Sequence, residues 1–447
     1  MSILKKDLAV SNVNSLNGYF PVRTSVTESA FDWEVAKGVV VRNVYRKILA
    51  KDMAVKEGEG ASYSKFREVC QKDFTERLDE IQLWEYLEDM YFSQDTFFTI
   101  APECLLFRIA NLPVSSPKNR LGDLFSSLMQ DYHNPQPERM KRNFLEQQLV
   151  DSLRSPDVLK DFFGPRNSKN IEEEPFLPFL TCHFRKDIKF LSDHPGYLIH
   201  CLEEFLRLYG YLYTAQLALN IDGYKSEPAA RPLYFIMENE TASLERTDLV
   251  RNGHQKVSSN IQKIFPYLTM AETLQEVAED RPRIPLWHFA SQLAPLDTPR
   301  LRQYAKDFAE DRDLAIDSDD SNEDPLYWLQ QLLKLSLMQF EKGQTRSAAQ
   351  GKFVRAAEVE LCSTFVRARG RVGKVLVMNQ DYLALLTNLA IGEKQRLRFH
   401  ELLEEFRARG VYFDKKTQQS LIGFYERVGN VERMSDSGDA VYVRKTI

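Results

Sequence analysis

Apolar positions along this chain recur mostly at three- and four-residue intervals, the period of a helix face turned toward a core. The run "YSKFREVCQKDFTERLDEIQLWEYLEDMYF" places Phe66, Cys70, Phe74, Leu78, Ile81, Trp84 and Leu87 on one such face. Polar, proline-bearing breaks follow at "NLPVSSPKNR" and "HNPQPERMKR", and "FGPRNSKNIEEEP" reads as a loop and an internal boundary. From Phe176 to Ile221 the chain is most apolar, and His194-Pro195-Gly196 divides that stretch into two helices. The uncharged run Leu208–Ile221, at 14 residues, is shorter than the roughly 20 needed to cross a bilayer and reads as a buried core helix. Leu233–Met237, inside "RPLYFIMENE", is a strand candidate, and further helices run to about Ala309.

The last seventy residues carry the clearest punctuation. Asn379 caps a helix with Leu383, Leu386, Leu389 and Ala390 inward and Gly392 at its end. "RLRF" is a brief alternating stretch, and "HELLEEFRARG" is a second helix with Leu402, Leu403 and Phe406 inward and Gly410 behind it. Asp414 caps a third helix whose buried side is read as Leu421, Ile422, Tyr425 and Val428. "VERM" and "AVYVRK" then flank "SDSGD" as a hairpin, with glycine where positive φ is needed. Helix, short strand, helix, helix, hairpin is the order of a winged helix-turn-helix. The expected fold is therefore mainly α: a multi-helical, aromatic-rich body with a few short strands, then a C-terminal winged helix-turn-helix. Expected divisions are 1–170 (N-terminal helical region), 171–310 (central helical domain), 311–377 (acidic connector, helix and basic segment) and 378–447 (winged helix-turn-helix).

Composition sharpens this picture in one respect. The 447 residues are 43% hydrophobic and 28% charged, with 28 Phe and 19 Tyr, which is ordinary for a globular chain with sizeable cores. A formal charge of −5 gives no global pull toward nucleic acid or membrane, so any basic site is local. Residues 341–447 carry 19 Lys/Arg against 13 Asp/Glu, a net +6, which leaves 40 against 51, a net −11, for residues 1–340. The block Asp311, Asp313, Asp317, Asp319, Asp320, Glu323 and Asp324 reads as a solvated connector between acidic body and basic tail. Asp324-Pro325 then reads as an N-cap followed by proline at the first helical position. Five dispersed cysteines without a CxxC pair fit reduced thiols, and "MSILKKDLAVSNVNSLNGYF" lacks a signal-peptide core, so a cytoplasmic location without membrane is expected.

In helix-turn-helix proteins the later helix offers its amino end to base edges. Here that end carries Lys415, Lys416, Gln418 and Gln419. Lysine suits phosphate, and glutamine pairs with adenine. The hairpin adds Arg433, Arg444 and Lys445, and "VRARGRVGK" places Arg367, Arg369, Arg371 and Lys374 within eight residues. These eleven residues are the expected contacts to double-stranded DNA. The competing reading is a winged helix that docks a protein partner and never touches DNA, because Glu426, Glu432 and Asp439 dilute the positive field.

Motifs for catalysis do not occur: no phosphate-cradling P-loop, no HExxH, no GxSxG and no Rossmann glycine pattern. Glu238 and Glu240 lack an accompanying lysine pattern and read as alternation on a strand edge. Cys182, His183, His194, His200 and Cys201 have ligand chemistry, but adjacent helical residues point about 100° apart, and their Phe and Leu neighbours mark a core. No enzyme activity, metal or cofactor is expected from this chain.

The stretches "LPFLTCHFRKDIKFL", "LYGYLYTAQLALN", "RPLYFIMENETAS", "IFPYLTMAETL" and "NVERMSDSGDAVYVRK" resemble the DptG (DndG) family, subunits of bacterial DNA phosphorothioation-dependent restriction systems. Such systems place sulfur in the host DNA backbone and attack unmodified invading DNA. The resemblance implies a non-catalytic subunit working with an F and an H subunit that carry the ATPase and DNA-cleaving activities. It supplies no site residues of its own.

Overall fold

The computed structural model of the chain describes residues 2–11, 18–23, 31–54, 60–76, 81–93, 95–110, 112, 117–129, 132–134, 140–163, 173–278, 281–341, 343–344, 346–434 and 440–447. The fold is mainly helical, with nine short strands among the described residues. It divides into two units: one of Phe31–Asn170 with Phe184–Leu206, the other of Met1–Ala30, Ile171–His183 and Arg207–Thr446. The expected breaks at 164–172 and 135–139, and the hairpin tip 435–439, lie outside the described residues. No described helix is long and apolar enough to cross a membrane.

In the first unit, α1 (Trp33–Tyr45) is capped by Asp32, whose carboxylate accepts the Glu34 and Val35 amides at 3.0 and 3.2 Å. β1 (Lys47–Leu49) follows, then α2 (Ala61–Thr75) and α3 (Ile81–Leu87), α4 (Arg120–Met129), α5 (Phe144–Leu153) and β2 (Leu159–Asp161). β1 and β2 pair antiparallel. The expected single face from Phe66 to Leu87 is divided between α2 and α3, with Phe66, Cys70, Phe74, Trp84 and Leu87 all buried; Leu78 lies outside the described residues. Tyr63, Phe66, Phe92, Phe97 and Phe107 pack ring to ring, each with centroids 5.2–6.2 Å from at least two others, a cluster whose contacts add to simple area burial.

α6 (Pro178–Asp193) and α7 (Pro195–Asn220) are separated at His194, as the His-Pro-Gly sequence predicts, and the unit boundary falls within both. Every residue of α7 from Leu208 to Ala218 is buried, which is why that run is apolar all round. Of its polar side chains, the Thr214 hydroxyl donates to the Gly210 carbonyl and the Gln216 amide brackets Arg231 through both its N–H and its C=O, whereas the Tyr211 hydroxyl is buried without a partner among the described residues.

The rest of the second unit comprises β3 (Leu233–Met237), α8 (Thr247–Arg251), α9 (His254–Leu274), α10 (Leu286–Gln292), α11 (Thr298–Asp311), α12 (Pro325–Met338) and α13 (Ser347–Ala357). β4 (Val366–Ala368), β5 (Lys374–Met378), α14 (Gln380–Ile391), β6 (Arg396–Arg398), α15 (Phe399–Ala408), β7 (Val411–Phe413), α16 (Lys415–Val428), β8 (Val431–Met434) and β9 (Ala440–Arg444) complete it. The acidic connector is the loop from α11 to α12, and Asp324 caps α12 with Pro325 in its first turn. Lys306 and Arg302 of α11 pair with Asp320 and Glu323 of that loop.

Two sheets organise this unit. One has the order β4-β5-β3-β7, with β3 parallel to both β5 and β7 and β4 antiparallel to β5. The other, β6-β9-β8, is antiparallel throughout. Asn379 and Asp414 cap α14 and α16 through their side chains, at 2.9 Å in both cases, and Gly392 and Gly410 take positive φ behind α14 and α15. The buried face of α16 is Leu421, Phe424 and Tyr425 with Thr417. Val428, expected inward, is 48% exposed, and Ile422 is only half-buried. The α16 core stripe follows Thr417, Leu421, Phe424 and Tyr425, which leaves Val428 beyond the last packed turn.

Gly410 is the tightest point of the connection into β7. Its φ is +86°, and a Cβ there would collide with the buried Gln216 amide. We predict that Gly410→Ala destabilises the chain by roughly 2–4 kcal/mol, the left-handed backbone and the overpacking acting together. A urea midpoint unchanged from wild type would contradict this.

Candidate nucleic-acid interface

The candidate contacts fall into three groups, two of them separated by the length of α16 and the third on residues 367–374. Its fourteen residues span about 20 Å. Lys415, Lys416, Gln418 and Gln419 stand at its amino end; Arg433, Arg444 and Lys445 lie in or beside the antiparallel sheet at its carboxyl end.

At the amino end, Lys415, Lys416 and Gln419 are exposed, and among the described residues neither lysine forms an ion pair. Gln418 is less free, since its amide donates to the Phe413 carbonyl at 2.7 Å. The helix start itself is anchored by a buried ionic cluster. Arg246 grips Asp414 with two N–H···O bonds of 2.6 and 2.7 Å and reaches Glu240 at 2.9 Å. Thr417 accepts from Arg246 and donates to Glu240 at 2.8 Å. The Arg246 and Glu240 side chains are only 7% and 8% exposed.

The electrostatics follow from this geometry. Burial pushes the Asp414 carboxyl up, but hydrogen bonds from Arg246 and the Thr417 amide outweigh it, so Asp414 titrates below the usual carboxylate range. Burial likewise opposes the Arg246 charge, and its bonds to Asp414 and Glu240 restore it and more. The buried cluster sets one guanidinium against two carboxylates, a formal charge of −1, so the positive character of this end comes from Lys415 and Lys416 together with the amino end of the α16 dipole. Glu240 is therefore not strand-edge alternation: it lies beyond β3 and holds the cluster together, with its Oε1 buried and unpartnered among the described residues. Sequence reasoning missed Arg246, whose partner Asp414 is 168 positions away.

The "VRARGRVGK" segment is the tight β4–β5 hairpin, with Gly370 and Gly373 at φ +50° and +82°. Arg367, Arg371 and Lys374 are exposed, although Arg367 donates to the Ser363 carbonyl. Arg369 donates to the Glu238 carbonyl at 2.7 Å. The segment 238–246 therefore touches the basic hairpin through Glu238 and the start of α16 through Glu240 and Arg246. That single loop brings the two amino-end groups of cations into one neighbourhood.

At the carboxyl end each expected cation has a partner within the chain. Arg433 pairs with Glu426, Arg444 with Glu432 at 3.1 Å, and Lys445 donates to the Gly392 carbonyl at 3.2 Å. Arg396, Arg398 and Tyr442, not singled out from the sequence, share the sheet with them: the two guanidinium carbons stand 4.8 and 5.8 Å from the Tyr442 ring centroid. The alternation in "RLRF" and "AVYVRK" was the available signal.

Cys182 and His200 are exposed, Cys201 is buried with its thiol pushed up by burial, and His194 bonds the Phe190 carbonyl. Among the described residues no three His, Cys, Asp or Glu side chains are placed to hold a metal ion. No protein-family model matches this chain, and no curated protein matches it.

Removing one partner of a buried ion pair strands the other's charge. We predict that Arg246→Leu costs about 3–5 kcal/mol in chemical denaturation, leaving two uncompensated carboxylates. The depressed Asp414 carboxyl also contributes stability that is present above its unfolded pKa of about 4 and is lost as pH falls through the lower folded value. An Asp414→Asn chain should show a shallower loss of thermal midpoint between neutral pH and pH 3. Parallel acid profiles for the two proteins would refute the assignment.

Proposed function

We propose that this chain is a non-catalytic, DNA-contacting and assembly subunit of a phosphorothioation-dependent restriction complex that defends bacteria against unmodified foreign DNA. In this reading residues 378–447 act as a winged helix-turn-helix, the F and H subunits supply ATP hydrolysis and DNA cleavage, and the complex works in the cytoplasm. The element order α14-β6-α15-α16-β8-β9, with β6 and β8 flanking β9, supports the winged-helix reading. The departure from a plain helix-turn-helix is β7, which sits between α15 and α16 and pairs with β3.

The observation that carries DNA contact is the amino end of α16: two exposed lysines, without ion pairs among the described residues, on a helix start held rigidly by buried Arg246. Lysine there meets phosphate as a point charge, and the exposed Gln419 amide offers a donor–acceptor pair for a base edge. The sequence stretches that resemble the DptG family supply the biological setting, and the lack of catalytic motifs accords with chemistry residing in partners.

A second reading rests on one observation. Arg433 and Arg444 are paired with Glu426 and Glu432, which weakens the field at the carboxyl end and suits a protein partner docked on the winged helix without DNA. Truncation at residue 377 cannot separate the two readings, because it would strip β7 from the shared sheet. Charge reversal in the full chain can. For Lys415→Glu/Lys416→Glu we predict duplex-DNA affinity at least about tenfold weaker at low salt and a log–log salt slope lower in magnitude by about 2. Fluorescence anisotropy giving the same affinity and slope as wild type would favour the protein-docking reading.

A further inference from the structure

The pairing register of the antiparallel sheet places a second basic surface on one of its faces. Arg396 lies opposite Arg444, and Arg398 lies opposite Tyr442, which also faces Glu432. Directly opposed residues share a face, as do residues two apart on one strand. Arg396, Arg398, Tyr442, Arg444 and Glu432 therefore form one face, while Leu397 and Val443 on the opposite face are buried.

The chemistry of that face is specific. Arg396 and Arg398 approach the Tyr442 ring, and Arg398 Nε–H donates to the Tyr442 hydroxyl at 3.1 Å. Stacking engages the flat side of a guanidinium and leaves in-plane N–H groups for a planar or tetrahedral anion. One carboxylate, Glu432, bridges Arg396 and Arg444. Glu401 accepts the Arg398 backbone N–H at 2.9 Å and is committed to capping α15. Among the described residues, three arginines against one bridging carboxylate leave a net positive face whose anion position is filled from within.

We propose that this face binds the phosphodiester backbone of DNA, and that Glu432 occupies the place of a phosphate until DNA displaces it. The proposal rests on the DNA-contacting reading above and adds to it a contact distinct from the α16 amino end. Arg396 and Arg398, about 7 Å apart along β6, then meet successive phosphates, and Arg444 shares one of them. Glu432 acts as a built-in competitor that lowers affinity for any anion too weak to replace it.

The test uses the full chain and a duplex oligonucleotide, with anisotropy across a salt series and thermal midpoints as a control for folding. Glu432→Gln should bind about threefold or more tightly than wild type, because the competing charge is gone. Arg396→Glu/Arg398→Glu should bind at least about tenfold more weakly, with a salt slope smaller by about 2. If Lys415→Glu/Lys416→Glu weakens binding while Glu432→Gln stays within about twofold of wild type, this inference fails and the DNA-contacting reading stands. Arginine reversals that change nothing would overturn the inference in the same way. If wild type binds no duplex even at low salt, both fall together.

Discussion

Arg246 joins two parts of the chain that the sequence separates by 168 positions, and the tail's geometry depends on it. Its guanidinium is nearly dry, and each of its anionic partners would be costly to leave alone in that setting. The cluster does for α16 what a cap does for any helix, and then goes further. Asp414 satisfies the Thr417 amide of the first turn, while Arg246 ties Asp414 to the loop after β3. A helix presented to a ligand needs such support if its first-turn side chains are to be positioned rather than merely nearby.

The parallel pairing of β3 with β5 and β7 extends the same logic. Strands three to five residues long have little stability alone, and here each borrows it from its neighbours. The sheet takes β3 from just after the buried helix α7, and β5 and β7 from the basic tail. Gln216 of α7 brackets Arg231 at the entrance to β3 and packs against Gly410 at the entrance to β7. The tail is therefore part of a unit that reaches back to Arg207, not an appendage on a linker.

What was legible in the sequence had local causes. Asn379, Asp414 and the Asp324-Pro325 pair declare helix starts because capping is decided within three residues. Gly392 and Gly410 declare ends for the same reason. β3 stood out as an isolated apolar run, and β8 and β9 as flanks of a turn. β4, β5 and β7 did not stand out, because strands this short are defined by partners far away in sequence. The Arg246 cluster was hidden for the same reason: nothing near Arg246 announces Asp414. Of the site, the cations were visible as composition, whereas which of them are free and which are paired depended on Glu426, Glu432 and Glu238 arriving from other elements.

DNA, in the proposed function, meets a rigid edge formed by the 238–246 loop and the start of α16. Amide hydrogen exchange of the full chain, with and without saturating duplex DNA, tests this most directly. Slowed exchange is predicted in peptides covering 238–246 and 414–420, with the first unit unchanged. Protection confined to residues 31–163, or no change anywhere while DNA is bound, would contradict it.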